Sequence, residues 1–165
     1  MSDKEQELSS ALKQGMRYLA SGVCIITAQM PDGERVAMTA SSVTSVSDNP
    51  PSLLVCVNQQ AKLDMALTHT DKFNVNILSR DQEDLSNNCA RPSQGDSRFQ
   101  SGNWVKDSNS DIYYLEDALA VFLCEKKKVV AHGTHNIYIG DIWKVHVSDG
   151  SSNILVYANG AYHYL

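Results

Sequence analysis

The sequence predicts a mainly β protein, an antiparallel β-barrel with peripheral helices. Most of its apolar segments have the length of a short strand and are bounded by Gly, Pro, Asn or Ser, which is typical of strands joined by turns. Few segments carry the spacing of an amphipathic helix. Because a barrel buries many short antiparallel strands and protects their edges, it accommodates this pattern best.

The first part of the chain alternates between one helix and several strands. Residues 5–19 place apolar side chains on one helical face, and residues 23–28 are typical of a buried strand. The turn at residues 31–33 joins that strand to residues 35–38 in a predicted hairpin. A stretch rich in Ser and Thr follows at residues 39–47.

The middle of the chain repeats this alternation after the break at residues 49–51. Residues 52–57 predict a buried strand, residues 62–68 a short helix, and residues 72–78 a half-buried strand with clean alternation. Residues 80–88 predict another helix.

The last part of the chain predicts further strands after a long polar surface loop at residues 92–110. The triple lysine at residues 126–128 is interpreted as a solvated turn between two of them. The strands are predicted at residues 113–115, 119–126, 128–131, 136–147 and 154–157.

Length and composition restrict the classes of function. The 165 residues fit one domain, residues 1–165, and a net charge of -5 argues against a nucleic-acid partner. We find no apolar run long enough to cross a membrane, no signal peptide and no CxxC pair, so we expect a protein of the cytoplasm. His132 and His135 form an HxxH pair without an evident third ligand, and we therefore predict no metal site.

Six segments, taken in chain order from about residue 15 to the end, resemble the short-chain flavin reductase family. These reductases are the partners of two-component flavin-dependent monooxygenases. The segment at residues 38–51 is the most specific of the six. The segments are LASGVCIIT at 19–27, MTASSVTSVSDNPP at 38–51, FNVNIL at 73–78, SRF at 97–99, GTHNIYIG at 133–140 and LVYANGAY at 155–162.

The resemblance implies an FMN-binding split β-barrel that forms a homodimer, with flavin bound near the subunit interface. It implies an NAD(P)H:flavin oxidoreductase that reduces FMN or FAD by hydride transfer and supplies a partner monooxygenase. The sequence leaves open the choice between FMN and FAD and between NADH and NADPH. No GxGxxG turn is present, so a Rossmann dehydrogenase is excluded.

Candidate flavin contacts lie in three places. The hydroxyls and backbone N–H groups before the double proline suit the polar edge and ribityl chain of a flavin. A lysine at the start of a short helix suits a phosphate, and by resemblance an Arg-Phe pair borders the flavin. The predicted flavin residues are Thr39, Ala40, Ser41, Ser42, Val43, Thr44, Asn58, Gln59, Lys62, Arg98 and Phe99.

For the nicotinamide nucleotide, the resemblance implies His135 as a contact, and we add Gly133 and Tyr162 to its site. No catalytic side chain is predicted, because hydride transfer is carried by the cofactors. Two positions depart from the family pattern. Thr134 replaces an Asp and removes a carboxylate, and Ser41 replaces an Asn with a shorter side chain.

Two alternatives remain open at this point. The same barrel could bind flavin or haem without turnover, and the loss of the carboxylate at Thr134 favours this reading. A pyridoxamine-phosphate-oxidase-like enzyme is less consistent with the sequence, because few basic residues are available to hold two phosphates.

Overall fold

The computed structural model describes residues 1–92, 96–150 and 153–165. It contains three α-helices around an antiparallel framework of strands. The helices are α1 (Asp3–Met16), α2 (Lys62–His69) and α3 (Glu83–Ala90). The strands are β1 (Ser21–Gly22), β2 (Cys24–Gln29), β3 (Arg35–Ala40), β4 (Val43–Asp48), β5 (Pro51–Asn58), β6 (Lys72–Ile77), β7 (Trp104–Lys106), β8 (Tyr113–Leu115), β9 (Ala120–His132), β10 (His135–Val147), β11 (Leu155–Ala158) and β12 (Ala161–Tyr164).

Seven strands form the main sheet in the order β3-β2-β6-β9-β10-β5-β4. β3 and β4 are its two end strands, yet only Ser41 and Ser42 separate them in the chain. Because the three steps from Ala40 to Val43 span about 11 Å at most, the sheet must curl until its two end strands come close together. The predicted fold class, mainly antiparallel β with peripheral helices, is confirmed.

Two apolar clusters lie on opposite faces of this curled sheet. Ile26, Val55 and Phe73 belong to the first cluster, which α2 covers. Ile25 and Leu123 belong to the second, which α3 and β11 cover. Both faces of β2 are therefore buried from Cys24 to Ala28, which explains why the strand begins with three consecutive apolar residues rather than alternating.

Gly140 of β10 lies directly against Phe73 of the first cluster. A Cβ atom there would stand 2.7 Å from Cζ of Phe73, well inside the normal contact distance. The glycine thus lets the Phe73 ring lie directly against β10.

The predicted turn at residues 126–128 is wrong, because these residues lie inside β9. Gly140 pairs with Lys126 and Ile139 with Lys128, so Lys127 is the extra residue of a β-bulge. Lys126 Nζ donates to the carbonyl oxygen of Leu67 at the end of α2. The bulge interrupts the alternation of the sequence, and one long strand therefore looked like two.

Residues 93–95 of the predicted loop at residues 92–110 lie outside the described residues, and the rest of that loop contains regular structure. Ser97–Phe99 forms a 3-10 turn and β7 follows it, pairing with β8. β12 was not predicted and pairs with β11 in a small sheet that also includes β1. Within the described ranges, no helix has the length and apolar character needed to cross a bilayer.

Candidate cofactor site

A cavity of about 410 Å³ lies between β3, α3 and the β11–β12 hairpin, and we call it the β3–β12 cavity. Its volume is within the usual range of small-molecule sites. Apolar, hydroxyl and aromatic side chains line it together. The lining residues are Val23, Thr39, Ala40, Ser41, Asn87, Ala90, Tyr157, Gly160, Ala161 and Tyr162.

Hydrogen bonds to α3 hold two sides of this cavity in place. Thr39 Oγ1 donates to the backbone carbonyl of Ser86 at 2.6 Å. The Ser86 hydroxyl lies 2.7 Å from the phenol oxygen of Tyr162. Ser86 itself is fully buried, so these partly buried bonds connect β3 and the C-terminal hairpin to α3 at a fixed point.

Two tyrosines form the C-terminal side of the cavity. The rings of Tyr157 and Tyr162 meet edge to face, with centroids 5.4 Å apart. The turn between their strands is held by Arg17, which donates to the carbonyl oxygen of Asn159 at 3.0 Å. Gly160 has φ +76, and a Cβ there would stand 2.8 Å from the Arg17 guanidinium, so glycine is required at this turn.

A second, smaller cavity of about 180 Å³ carries positive charge, and we call it the Arg98 cavity. Its three cationic side chains come from β3, the start of α2 and the 3-10 turn. The lining residues are Arg35, Val36, Ala37, Lys62, Pro92, Arg98 and Phe99.

The cations of the Arg98 cavity are held by partners that leave part of their donor capacity free. Arg35 pairs with Asp96, and its guanidinium lies 4.6 Å from the ring centroid of Phe99. Lys62 pairs with Glu34. Arg98 donates to two backbone carbonyls, but its buried Nε makes no hydrogen bond within the described residues.

Both cavities follow β3, one after the other. Ala37 lines the Arg98 cavity and Ala40 lines the β3–β12 cavity. Ala37 and Ala40 are three residues apart on an extended strand, which corresponds to about 10 Å between their Cα atoms. An apolar site with hydroxyls and a cationic site are thus held at a fixed spacing by one strand.

The tip of the β9–β10 hairpin is the third place where predicted residues meet. Gly133 turns the chain with φ +55, and His135 pairs with Asn58 of β5. Thr134 Oγ1 lies 2.9 Å from Nδ1 of His135, so a hydroxyl orients this ring where the family pattern has a carboxylate. His132 stands opposite His135 across the hairpin. Residues 1–92, 96–150 and 153–165 contain no group of three or more His, Cys, Asp or Glu suited to a metal ion.

The predicted site residues therefore fall into three groups and a remainder. The β3–β12 cavity brings together Thr39, Ala40, Ser41 and Tyr162. The Arg98 cavity brings together Lys62, Arg98 and Phe99. The hairpin tip brings together Asn58, Gln59, Gly133 and His135.

The remaining predicted residues line neither cavity, since Ser42 immediately precedes β4 and Val43 and Thr44 begin it. Ser42 Oγ donates to the carbonyl oxygen of Cys56 at 3.0 Å. Val43 packs against the first apolar cluster, and Thr44 is exposed. Because these three residues line neither cavity, their contact with flavin stays a prediction.

Six lining residues of the β3–β12 cavity had no predicted role, namely Val23, Asn87, Ala90, Tyr157, Gly160 and Ala161. Tyr157 lies in the closing motif at residues 155–162, so a signal existed for it. Asn87 and Ala90 lie on α3, where helical spacing alone gave no reason to select them.

The cysteines do not supply reactive groups to these cavities. Burial raises the pKa of the Cys89 thiol to about 11, although the Arg98 guanidinium acts in the opposite direction. Burial likewise raises the pKa of Cys24 and of Cys124 to about 12. These thiols stay protonated near neutral pH and are poor nucleophiles.

Comparison with known proteins places this geometry in a family. The model of the flavin reductase like domain matches residues 16–165, and the chain belongs to that family. It is 36% identical over 148 residues to the reductase component of the FADH(2)-dependent resorcinol hydroxylase of Rhizobium sp., covering 89% of this chain and 82% of that protein.

Two further proteins extend the comparison. The FMN reductase (NADH) RutF of Pseudomonas syringae is 34% identical over 155 residues, covering 94% of this chain and 85% of that one. The NADH:FAD oxidoreductase SgcE6 of Streptomyces globisporus, solved with NAD and FAD fragments, superimposes with a TM-score of 0.88 at 25% identity, covering 100% of this chain and 96% of that one. The predicted family, split-barrel fold and flavin reductase class are confirmed, with flavin and NADH as the cofactors of that class.

Proposed function

We propose that this protein reduces FMN or FAD with NADH or NADPH and supplies the reduced flavin to a separate flavin-dependent oxygenase. The β3–β12 cavity carries the proposal, because it combines apolar lining, hydroxyl groups and an aromatic side in a volume suited to a planar ring. The relationship to a reductase component of a hydroxylase supports the partner oxygenase.

The flavin ring fits the β3–β12 cavity on chemical grounds. Val23 and Ala40 offer apolar contact, while Thr39, Ser41 and Asn87 offer polar groups to the ring edge. A bound flavin supplies the hydride acceptor, and the protein supplies binding, orientation and exclusion of water. Because no side chain must act as a nucleophile, the protonated thiols of Cys24, Cys89 and Cys124 are consistent with this role.

A flavin phosphate fits the Arg98 cavity. Lys62 and Arg98 are cationic, and a spacing of about 10 Å along β3 suits a flexible chain that connects a ring to a phosphate. Guanidinium and ammonium groups are the usual partners of phosphate in proteins. Arg35 adds a third positive charge to the same cavity.

We place the nicotinamide nucleotide at the hairpin tip, with Gly133 and His135 as its contacts and with Tyr162 on the side of the β3–β12 cavity. Gly133 and His135 are both exposed and therefore open to a ligand. The hydroxyl of Thr134 fixes one nitrogen of the His135 ring and leaves the other free.

We also propose that two copies of the chain form a homodimer. The apolar face of α1 is uncovered, since Leu8, Leu12 and Met16 are 71%, 63% and 53% exposed. An uncovered apolar face of this kind is typical of an interface. Light scattering of the purified protein, which measures its molar mass, tests whether a second copy covers this face.

We expect the protein to work in the cytoplasm, where its four free cysteines would stay reduced.

Steady-state oxidation of NADH and NADPH, measured with FMN, FAD, riboflavin and no flavin, tests the activity. We expect oxidation that depends on added flavin and stops when the flavin is removed by dialysis. Nucleotide oxidation that needs no flavin would contradict the proposal. A protein that binds flavin but leaves both nucleotides unoxidised would favour the non-catalytic alternative instead.

A further inference from the structure

We propose that a hydrogen-bond network from Asp64 through Asn136 to Gln59 positions the tip of the β9–β10 hairpin for the nicotinamide nucleotide. The inference rests on the proposed function, in which Gly133 and His135 contact that nucleotide. Asp64, Asn136 and Gln59 are positioning residues in this arrangement, because they act through the hairpin tip.

The hairpin tip is covered unevenly by its neighbours, because β5 pairs with β10 as far as His135, opposite Asn58, whereas β6 stops well before the tip. The pairing of β9 with β6 ends at Glu125, opposite Lys72. Residues 127–135 are all exposed. On the β9 side the tip is a two-stranded ribbon, which is marginally stable in water by itself, so contacts made from the β5 side stabilise its position.

Gln59 makes three of these contacts. Its backbone N–H donates to the carbonyl oxygen of Thr134 at 3.0 Å. Its Nε2 donates to the carbonyl oxygen of His135 at 3.2 Å and to Oδ1 of Asn136 at 3.3 Å. Since both hydrogens of this amide nitrogen are used within the chain, Gln59 supports the hairpin rather than donating to a flavin.

Asn136 connects this support to the core. Its Nδ2 donates to Oδ1 of Asp64 at 2.8 Å. The same carboxylate oxygen accepts from the hydroxyl of Tyr138 at 2.6 Å. Asp64 is buried in the first turn of α2, where the helix N-terminus favours a negative charge.

The donor groups around Asp64 are well defined. Burial, together with the bond to Asp64, raises the pKa of Tyr138, so its hydroxyl remains a donor at neutral pH. Tyr138 is fully buried and cannot move away from the carboxylate without breaking the core. The orientation of Asp64 is therefore fixed, and through Asn136 it determines where the hairpin tip lies.

This arrangement predicts a selective effect on one substrate. Loss of the Asn136 side chain removes both its bond to Asp64 and its bond to Gln59, so the tip loses its connection to α2. Neither the β3–β12 cavity nor the Arg98 cavity contains these three residues. Nucleotide binding should weaken while flavin binding and the rate at saturation are retained.

The test compares Asn136→Ala with Thr70→Val, a matched control at the opposite end of α2. Thr70 Oγ1 donates to the carbonyl oxygen of Ala66 at 2.9 Å, so the control also deletes one side-chain hydrogen bond. We expect Asn136→Ala to raise KM for NADH about fivefold to tenfold, with kcat and the Kd for FMN within about twofold. Thr70→Val should leave all three constants near those of the unmodified protein.

A rise in KM no larger than that of Thr70→Val would overturn the inference and leave the network a purely structural one. If Asn136→Ala fails to fold, Gln59→Ala at its exposed position must show the same selective rise in KM. His135→Ala separates the two levels of the argument. If the protein is active and His135→Ala leaves the KM for NADH unchanged, both the proposed nucleotide site and this inference are overturned. If the unmodified protein shows no flavin-dependent turnover, the proposed function itself is overturned.

Discussion

The β3–β12 cavity and the Arg98 cavity lie side by side along one strand, yet they differ in chemistry. Hydroxyl, aromatic and small apolar side chains line the first, and three cations surround the second. Their volumes differ as well, at about 410 and 180 Å³. A ligand with a flat uncharged end and an anionic end would satisfy both.

The difference between the cavities originates in what covers β3 at each end. Near Ala40 the cover is α3 and the C-terminal hairpin, which bring Ser86 and Tyr162 to the strand. Near Ala37 the cover is the 3-10 turn, from which Arg98 donates to the Ala37 carbonyl. One strand can thus present two kinds of recognition because different parts of the chain pack against it.

The largest effect is expected from filling the β3–β12 cavity with Ser41→Trp. Ser41 is exposed at the cavity edge, so the indole can occupy the space of the ring without disturbing the core. We expect affinity for riboflavin and FMN alike to fall about 100-fold, the loss of most of the apolar contact. Fluorescence titration measures it. Ser45→Trp, an exposed position on β4, is the control, and equal affinities for the two variants would refute the assignment of the ring.

An intermediate effect is expected from Lys62→Ala, which removes one charge from the Arg98 cavity. We expect the Kd for FMN to rise about fivefold, because one phosphate contact is lost, while the Kd for riboflavin is unchanged. Raising the salt concentration should reduce the difference. Lys128→Ala, on the exposed part of β9, serves as the control. A parallel loss of riboflavin binding would show that the two cavities are not chemically distinct.

A smaller effect is expected from Tyr157→Ala on the C-terminal side of the β3–β12 cavity. The edge-to-face contact with Tyr162 would be lost, and we expect flavin affinity to fall about threefold. Tyr157→Phe retains the ring and should retain the affinity. If Tyr157→Phe loses as much as Tyr157→Ala, the hydroxyl rather than the aromatic contact is responsible.

The smallest effect is expected in thiol reactivity. Cys89 lies on α3 next to Ala90, which lines the β3–β12 cavity, and is buried, and its pKa of about 11 keeps it protonated at pH 8. We expect a thiol reagent at pH 8 to modify the half-buried Cys56 and spare Cys89, with FMN changing the rate less than about twofold. Peptide mapping of the modified protein identifies which cysteines are labelled. Rapid labelling of Cys89 would contradict this expectation and would mean that α3 moves away and joins the two cavities.

Much of the fold could be predicted because local patterns were consistent with it. The helix at residues 62–68 and the strand at residues 72–78 agree with α2 and β6 to within a residue. The long strand β9 could not be recognised, because a bulge at Lys127 shifts the alternation by one residue. Such a shift depends on pairing with β10 and leaves no trace in the local sequence.

The candidate site was predictable in part for a similar reason. The motifs selected Thr39, Ser41 and Tyr162, and the structure brings these residues to one cavity. Asn87 escaped notice because its side chain becomes relevant only when α3 packs beside β3. Gln59 was selected as a flavin contact, but its amide is engaged with the hairpin tip, a partner more than seventy residues away in the chain.

The sequence by itself determined the strand-rich class, the family and the residue types available for flavin and nucleotide, because turn residues, alternation and ordered motifs are local properties. The tertiary structure alone decided how those residues are grouped. It divided the predicted contacts among two cavities and a hairpin tip, because a side chain acquires its neighbours only when distant segments pack against its strand.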